Sequence, residues 1–334
     1  MNLVRIDRSS GIPLVGCLYF GIIDRGTNLL QVRPSCHCNL ACPFCSVDAG
    51  PGSRTRASRY EVESEYLLSE LQKISAFKGE GVECHIDSPG EPLLYPTLSS
   101  LVQAMKQIPQ VQVVSIQTNG TLLTAELVRS LEKAGLDRIN LSLHALDPDL
   151  SRRLAGVPWY DVDQVVEAAR TVAQSTIDLL IAPVYLPGLN DEEIPRIIEL
   201  AQEIGAGKRW PSLGIQKFER YRLGRCPREV QVQTWGKFHQ RLQAWEQQSG
   251  LRLILTAKDF GIEKRKMLPQ VYRKGERTSV TIQAPGWLSG EMLGIGRNRV
   301  ISVMNCSRNE RSVRVRIVSV KHNIYVAVPS SQGW

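Results

Sequence analysis

Cys38-Asn39-Leu40-Ala41-Cys42-Pro43-Phe44-Cys45 begins five residues after the apolar run Leu29-Leu30-Gln31-Val32-Arg33, and the reading of these two stretches decides the architecture. A β-prone run that opens into a cysteine-bearing loop is how parallel α/β folds present chemistry at the carboxyl end of a strand. Outward from this point, short apolar runs alternate with longer amphipathic ones from about residue 28 to residue 255, the pattern of repeated βα units around a parallel sheet. Strands are expected at 29–33, 82–87, 111–118, 138–144, 177–185 and 213–218. Helices are expected at 62–74, 125–134, 162–172 and 192–204, with Gly135 and Gly205 as stop signals. Six repeats predict an α/β fold built as a partial (β/α)6 barrel.

Residues 1–28 read as a short β-rich entry segment with turns at Gly11-Ile12-Pro13 and Asp24-Arg25-Gly26. Past residue 256 the runs 279–283, 300–304, 313–320 and 324–328, parted by Gly, Pro, Asn and Ser, predict a small antiparallel β-barrel. The expected domains are therefore 1–28, 29–255 and 256–334. The 334 residues include 43% hydrophobic and 22% charged side chains, close to globular averages and unlike a disordered or membrane chain. No run approaches the roughly 18 apolar residues of a membrane span, and Asp7 and Arg8 interrupt what would be a signal peptide, so a cytoplasmic protein is expected. The net charge of +8 is uneven: residues 257–334 hold fourteen Lys and Arg against five Asp and Glu, leaving the first 256 residues near −1.

Eight cysteines without an export signal point to thiols, metal ligation or catalysis rather than disulfides. Four of them, Cys36, Cys38, Cys42 and Cys45, fall within ten residues, whereas Cys17, Cys84, Cys226 and Cys306 are scattered. Cys38, Cys42 and Cys45 can hold three corners of a [4Fe-4S] cubane and leave the fourth iron open to the amino and carboxylate groups of a methionine moiety. The same spacing also suits a zinc site, or a closed structural cluster with Cys36 as fourth ligand.

The three cysteines, with the aromatic Phe44 before the last, resemble the signature of the radical S-adenosylmethionine (SAM) superfamily, and later motifs extend the resemblance over roughly residues 29–220. Ser88-Pro89-Gly90-Glu91-Pro92 resembles the family's glycine-glutamate-proline motif, which makes Gly90 and Glu91 candidates for the SAM amino group. Gln117-Thr118-Asn119-Gly120 ends the third strand beside it. On the fourth, Asn140, Ser142 and His144 alternate and are expected to share an inward face. Ser142 is similar to the residue that contacts the SAM carboxylate or ribose in related enzymes. His144, where many members have Asp, is read either as orienting the ribose or moving a proton, or as a satisfied structural histidine. Asn190, in Leu186-Pro-Gly-Leu-Asn190, is read as an adenine-side residue or a helix N-cap. The resemblance implies an external one-electron reductant such as ferredoxin or flavodoxin, SAM as cofactor, and a 5′-deoxyadenosyl radical that takes hydrogen from a substrate.

In the tail, Arg297, Arg299, Arg308, Arg311, Arg314 and Arg316 predict a basic face suited to phosphates. Residues 279–329 resemble the RNA-binding TRAM domain of tRNA methylthiotransferases, although the chain has too little sequence before Cys38 for their second cluster. The alternative is a basic barrel that docks on the core or covers the site. Cys306 is a candidate methyl carrier by similarity to RNA methyltransferases. The leading expectation is thus a radical enzyme that modifies a nucleotide in RNA, possibly tRNA, with a protein side chain or small metabolite as the alternative substrate. A non-enzymatic nucleic-acid-binding metal protein is the remaining competitor.

Overall fold

The computed structural model describes residues 2–306 and 311–330, so Arg308 lies outside the described residues. The elements follow one another as β1 (Asn2–Ile6), β2 (Gly21–Asp24), β3 (Leu29–Arg33), β4 (Ser58–Val62), α1 (Ser64–Lys78), β5 (Val82–Ile86), α2 (Leu98–Lys106) and β6 (Val111–Thr118). They continue with α3 (Ala125–Lys133), β7 (Arg138–Leu141), α4 (Pro148–Ala155), α5 (Val162–Gln174), β8 (Asp178–Ile181), β9 (Val184–Tyr185), α6 (Glu193–Glu203), β10 (Gln216–Lys217) and α7 (Trp235–Ser249). The last five strands are β11 (Arg277–Pro285), β12 (Glu291–Gly296), β13 (Arg299–Met304), β14 (Ser312–Ser319) and β15 (Val326–Pro329).

The central sheet has the order β2-β3-β5-β6-β7-β8, parallel from β3 onward, with β2 antiparallel on the edge. Its outer face is apolar and carries the helices: Val82, Cys84, Ile86, Val114, Ile116, Ile139 and Leu141 are buried beneath them. Several expected strands end early, for local reasons. The run 177–185 is cut into β8 and β9 at Ala182-Pro183, because proline has no N–H for the ladder. The run 213–218 keeps two paired residues, Gln216 and Lys217, which lie against β9, while Leu213 bridges to Ile181. β7 stops at Leu141, although Ser142 N–H still donates to Thr118 O at 2.8 Å, and Ser142 and His144 line the site. Among the described residues no helix is long and apolar enough to cross a membrane.

The tail closes into a five-stranded barrel ordered β11-β12-β13-β15-β14. It is antiparallel except for the β13–β15 pair. The sequence pattern missed β12, whose Gly294 and Gly296 look like turn residues. A side chain at Gly294 would press on Val280, and one at Gly296 would strike the Tyr272 hydroxyl. The entry segment is a wedge between barrel and sheet: Val300 N–H donates to Val15 O, Tyr325 N–H to Gly16 O, and Ile12, Leu14 and Phe20 join the main buried core. Trp287 anchors the barrel. Its ring lies 3.9 Å from that of Tyr19 and beneath the Arg56 guanidinium at 4.4 Å, while Ala57 N–H donates to its carbonyl.

Trp287 is 1% exposed and Trp235 58%. Trp287→Ala is accordingly expected to cost about 3–5 kcal/mol in urea unfolding, and Trp235→Ala less than about 0.5 kcal/mol. Equal effects would mean that the barrel does not share the core's stability.

Candidate active site

The loop after β3 carries Cys38, Cys42 and Cys45 as half-buried free thiols on the wall of one chamber of about 720 Å³. That volume lies within the roughly 300–1,000 Å³ typical of small-ligand sites. Burial pushes the Cys38 and Cys42 thiols up to about 12, and for Cys42 the neighbouring Cys38 and Cys45 add to the rise while Arg225 opposes it. The desolvated Cys38 and Cys42 thiols resist ionisation until a cation is there to hold the thiolates. Among the described residues no group of three His, Cys, Asp or Glu side chains meets the geometry of a single-ion site. A cubane asks something different, since each thiolate grips its own iron.

Cys36 stands apart from these three. It is buried in the core, its Sγ accepts from Tyr60 N–H at 3.0 Å, and it does not line the chamber. The loop itself is fixed by backbone contacts: Ala41 N–H donates to Ala155 O, Arg225 N–H to Cys45 O, and the Arg225 side chain to Ala49 O at 2.5 Å. Gly156 has φ +70°, and a Cβ there would sit 2.2 Å from Ala41 O.

Gly90 serves this loop more directly. A Cβ at Gly90 would lie 2.0 Å from His37 O, to which Glu91 N–H donates at 2.6 Å. Its missing side chain thus makes room for the cysteine loop. Glu91 is buried, and its carboxylate accepts from Leu93 N–H at 2.9 Å, Thr118 Oγ1–H at 2.7 Å and Asn119 N–H at 2.7 Å. Oε2 keeps accepting capacity on the chamber wall, since Asn119 N–H is its one donor among these contacts. Burial pushes the Glu91 carboxyl up to about 7 against the pull of these donors. The Asn119 amide donates to Asn39 Oδ1 at 2.9 Å, tying the end of β6 to the cysteine loop.

Ser142 and His144 both reach the chamber, Ser142 accepting from the Gln117 amide at 2.8 Å. His144 Nδ1 accepts from Val184 N–H at 3.1 Å, which leaves the proton on Nε2. Burial holds the ring down to about 4, so it is neutral at pH 7, and Phe44 meets it edge-on at 4.9 Å.

Three expected site residues are not brought to the chamber. Asn140 does not line it, and its Oδ1 accepts from Arg138 at 2.9 Å, one level deeper in the sheet. Asn190 is neither beside the chamber nor an N-cap; its amide donates to His144 O and Val184 O while its Oδ1 accepts from Leu186 N–H, a staple for the strand end. Cys306 is buried in the barrel's own core with Tyr272 and Val280. The arginines divide as well. Arg297 is paired with Glu276 at 2.7 Å and Arg299 donates to Asn298 O and Pro269 O, whereas Arg314 is exposed and Arg316 partly so on β14.

Glu83 and His85 on the inward face of β5, with Asp87 just past its end, belong to no motif, although alternation with Val82, Cys84 and Ile86 signals them. Arg138 pairs with Glu83 at 2.6 Å, and Arg33 grips Asp87 through Nε at 3.1 Å and Nη2 at 2.9 Å. Arg33, His85 and Asp87 line the chamber. Arg225, which braces the cysteine loop, lies beyond every motif and had no sequence signal.

A family model described as the Radical SAM superfamily matches residues 32–201. The chain belongs to that superfamily, whose members use a [4Fe-4S] cluster and SAM and draw on an external reductant. It is 42% identical to an uncharacterized protein of Methanocaldococcus jannaschii over 95% of this chain and 78% of that one. It is also 31% identical to a GTP 3′,8-cyclase of Chlorobaculum tepidum over 67% of this chain, and it spans 63% of that enzyme's length. Among solved structures, Streptococcus suis SuiB bound to S-adenosylmethionine shares the fold, with a TM-score of 0.53 at 20% identity over 67% of this chain and 48% of that one. The crowded thiols and the chamber beside them fit a cluster and SAM.

The folded Glu91 carboxyl, near 7, lies above its ordinary 4.5, so the folded chain holds the extra proton between those values. Its contribution to stability therefore falls as pH rises through that window. Urea unfolding of the cluster-free protein at about pH 5 and about pH 8 should show this loss, and Glu91→Gln should shrink the difference. An unchanged difference would assign the slope to another group.

Proposed function

We propose that Cys38, Cys42 and Cys45 hold the [4Fe-4S] cluster, that Phe44, Gly90, Glu91, Thr118, Asn119, Ser142 and His144 surround SAM, and that the radical acts on a small polar substrate inside the chamber. The observation that carries this reading is the make-up of the chamber: the three thiols lie on its wall, together with Arg25, Gln31, Arg33, His85, Asp87 and Lys217. Reduced by one electron from a donor such as ferredoxin or flavodoxin, the cluster and SAM supply a 5′-deoxyadenosyl radical. The chain's own residues do the rest. Glu91 and the backbone it gathers orient the amino end of SAM, Ser142 and the Nε2–H of His144 offer polar contacts to its nucleoside, and the polar wall binds the substrate.

Arg25 donates to Gln31 at 2.6 Å and not to a carboxylate, which suits a substrate that brings its own negative charge. The similarity to GTP 3′,8-cyclases favours the same class. In this scheme residues 29–255 perform the chemistry, 1–28 join the two units, and 256–334 flank the site. A cytoplasmic setting suits a chain whose eight cysteines form no disulfide among the described residues.

RNA is the second reading, and one observation favours it. On β14 Arg314 and Arg316 alternate with buried Val313, Val315 and Ile317, and Arg277 stands opposite Arg316 on β11, an outward row of guanidiniums. With Arg297 and Arg299 committed within the chain, that row is shorter than the sequence implied.

Anaerobic protein reconstituted with iron and sulfide and reduced with dithionite is expected to cleave SAM to 5′-deoxyadenosine, and Cys42→Ala to abolish it. Zinc in place of iron, with no cleavage by either protein, would turn the reading to a metal-bearing binding module. The RNA reading expects tRNA binding whose salt dependence weakens by about two ions in an Arg314→Ala/Arg316→Ala double variant. The small-substrate reading expects no such binding.

A further inference from the structure

Glu83 and His85 lie on the inner face of β5 with Asp87 just beyond its end, and two of these three are spent. Glu83 is held by Arg138 and Asp87 by Arg33. His85 lies between them, opposite Ser115 on β6 and Gln31 on β3, and its ring lines the chamber.

Its protonation follows from counting hydrogens. The Ser115 hydroxyl donates to Glu83 Oε1 at 2.7 Å, and a carboxylate can only accept. That hydroxyl has one proton to give, so its 2.7 Å contact with His85 Nδ1 is one in which Ser115 accepts and Nδ1–H donates. The proton of the neutral ring is thereby placed on Nδ1, and Nε2 keeps a lone pair. His144 shows the opposite arrangement, with Nδ1 accepting from Val184 N–H and Nε2 protonated. One chamber thus presents one imidazole as donor and the other as acceptor.

We propose that His85 is the proton acceptor of the chamber, its Nε2 taking a proton from an O–H or N–H group of the bound substrate. This rests on the reading that the chamber holds the substrate, and it narrows that substrate to a molecule with a hydroxyl, amide or ring N–H at the reacting end. In the step a substrate O–H or N–H bond breaks, an N–H bond forms at Nε2, and the electron pair stays on the substrate heteroatom. No electron enters or leaves the protein. The imidazolium formed is stabilised by Glu83 through Ser115 and by Asp87, and opposed by Arg33 and Arg138. Burial, with Arg138 and Arg33, holds the free ring below its ordinary 6.5 against the pull of Asp87 and Glu83. The acceptor is therefore present at pH 7 and lost on acidification.

The test is ¹⁵N NMR of the histidine-labelled, cluster-loaded protein at neutral pH, without SAM or reductant, with signals assigned by their loss in His85→Gln and His144→Gln. His85 should show a protonated Nδ1 and a bare Nε2, and His144 the reverse. Ser115→Ala should collapse the His85 preference, so that the Nε2-protonated fraction rises severalfold. A protonated Nε2 in the unaltered protein, or a Ser115→Ala spectrum with the tautomer unchanged, overturns the proposal. The unaltered protein gives a second reading through diethyl pyrocarbonate, which acylates bare, accessible imidazole nitrogens. Acylation of His85 that fades on acidification supports the assignment, and a His85 left intact while exposed His239 is fully acylated defeats it. Neither measurement depends on SAM cleavage, so a failure here leaves the cleavage reaction standing, and a failure to cleave SAM leaves the tautomers to be read as they are.

Discussion

The carboxylate of Glu91, sunk among donors at the carboxyl ends of β5 and β6, is the contact on which the site hangs. Its own N–H holds His37 O in the cysteine loop, and its oxygens hold Asn119 N–H, Leu93 N–H and the Thr118 hydroxyl. Burying a carboxylate costs several kcal/mol unless donors replace the lost water. Here three donors offset part of that cost, while burial still holds the carboxyl near 7, so the donors and the loop geometry depend on one another. Gly90 belongs to the same constraint, because only a residue without Cβ lets the strand end meet the loop.

Around that anchor the sheet keeps two chemistries apart by alternation alone. Outward Val82, Cys84, Ile86, Val114 and Ile116 are apolar and buried under helices, while Glu83, His85, Ser115 and Gln117 on the other face form a charged pair and hydrogen bonds. Removing either member of Arg138–Glu83 would leave a buried charge without its partner, which typically costs about 3–5 kcal/mol. The interior polarity is therefore a commitment of the fold and not a loose lining.

Much of this was legible in the sequence because it rests on local pattern. The strands at 29–33 and 111–118 follow from apolar, β-branched runs, and the cysteine motif with Gly90-Glu91-Pro92 pointed to the family. What stayed hidden depends on tertiary partners. Alternation put Asn140 on the inward face but not at which depth, and it is Arg138, two residues earlier, that claims its side chain. Asn190 carried a capping signal, yet the backbone of Val184 and His144 lay closer. Cys306 looked available until barrel closure buried it, and the pairing of Arg297 with Glu276 was invisible because it joins a hairpin to a loop. The tautomers of His85 and His144 are set by Ser115 and by a backbone amide, information that no spacing carries.

The wedge formed by residues 12–20 ties the entry segment to a barrel strand far along the sequence, Gly16 lying against the backbone of Val300 so closely that a Cβ would stand 2.3 Å from its carbonyl oxygen. During synthesis this early segment emerges long before its partner exists. At roughly 5–20 residues per second, the intervening stretch takes on the order of tens of seconds to appear. Through that interval the carbonyls of Val15 and Gly16 lack the Val300 and Tyr325 N–H groups from which they accept in the folded chain. Residues 15 and 16 therefore reach their final setting only after the barrel has been made, and that delay sets how long this segment stays open to aggregation or chaperone capture.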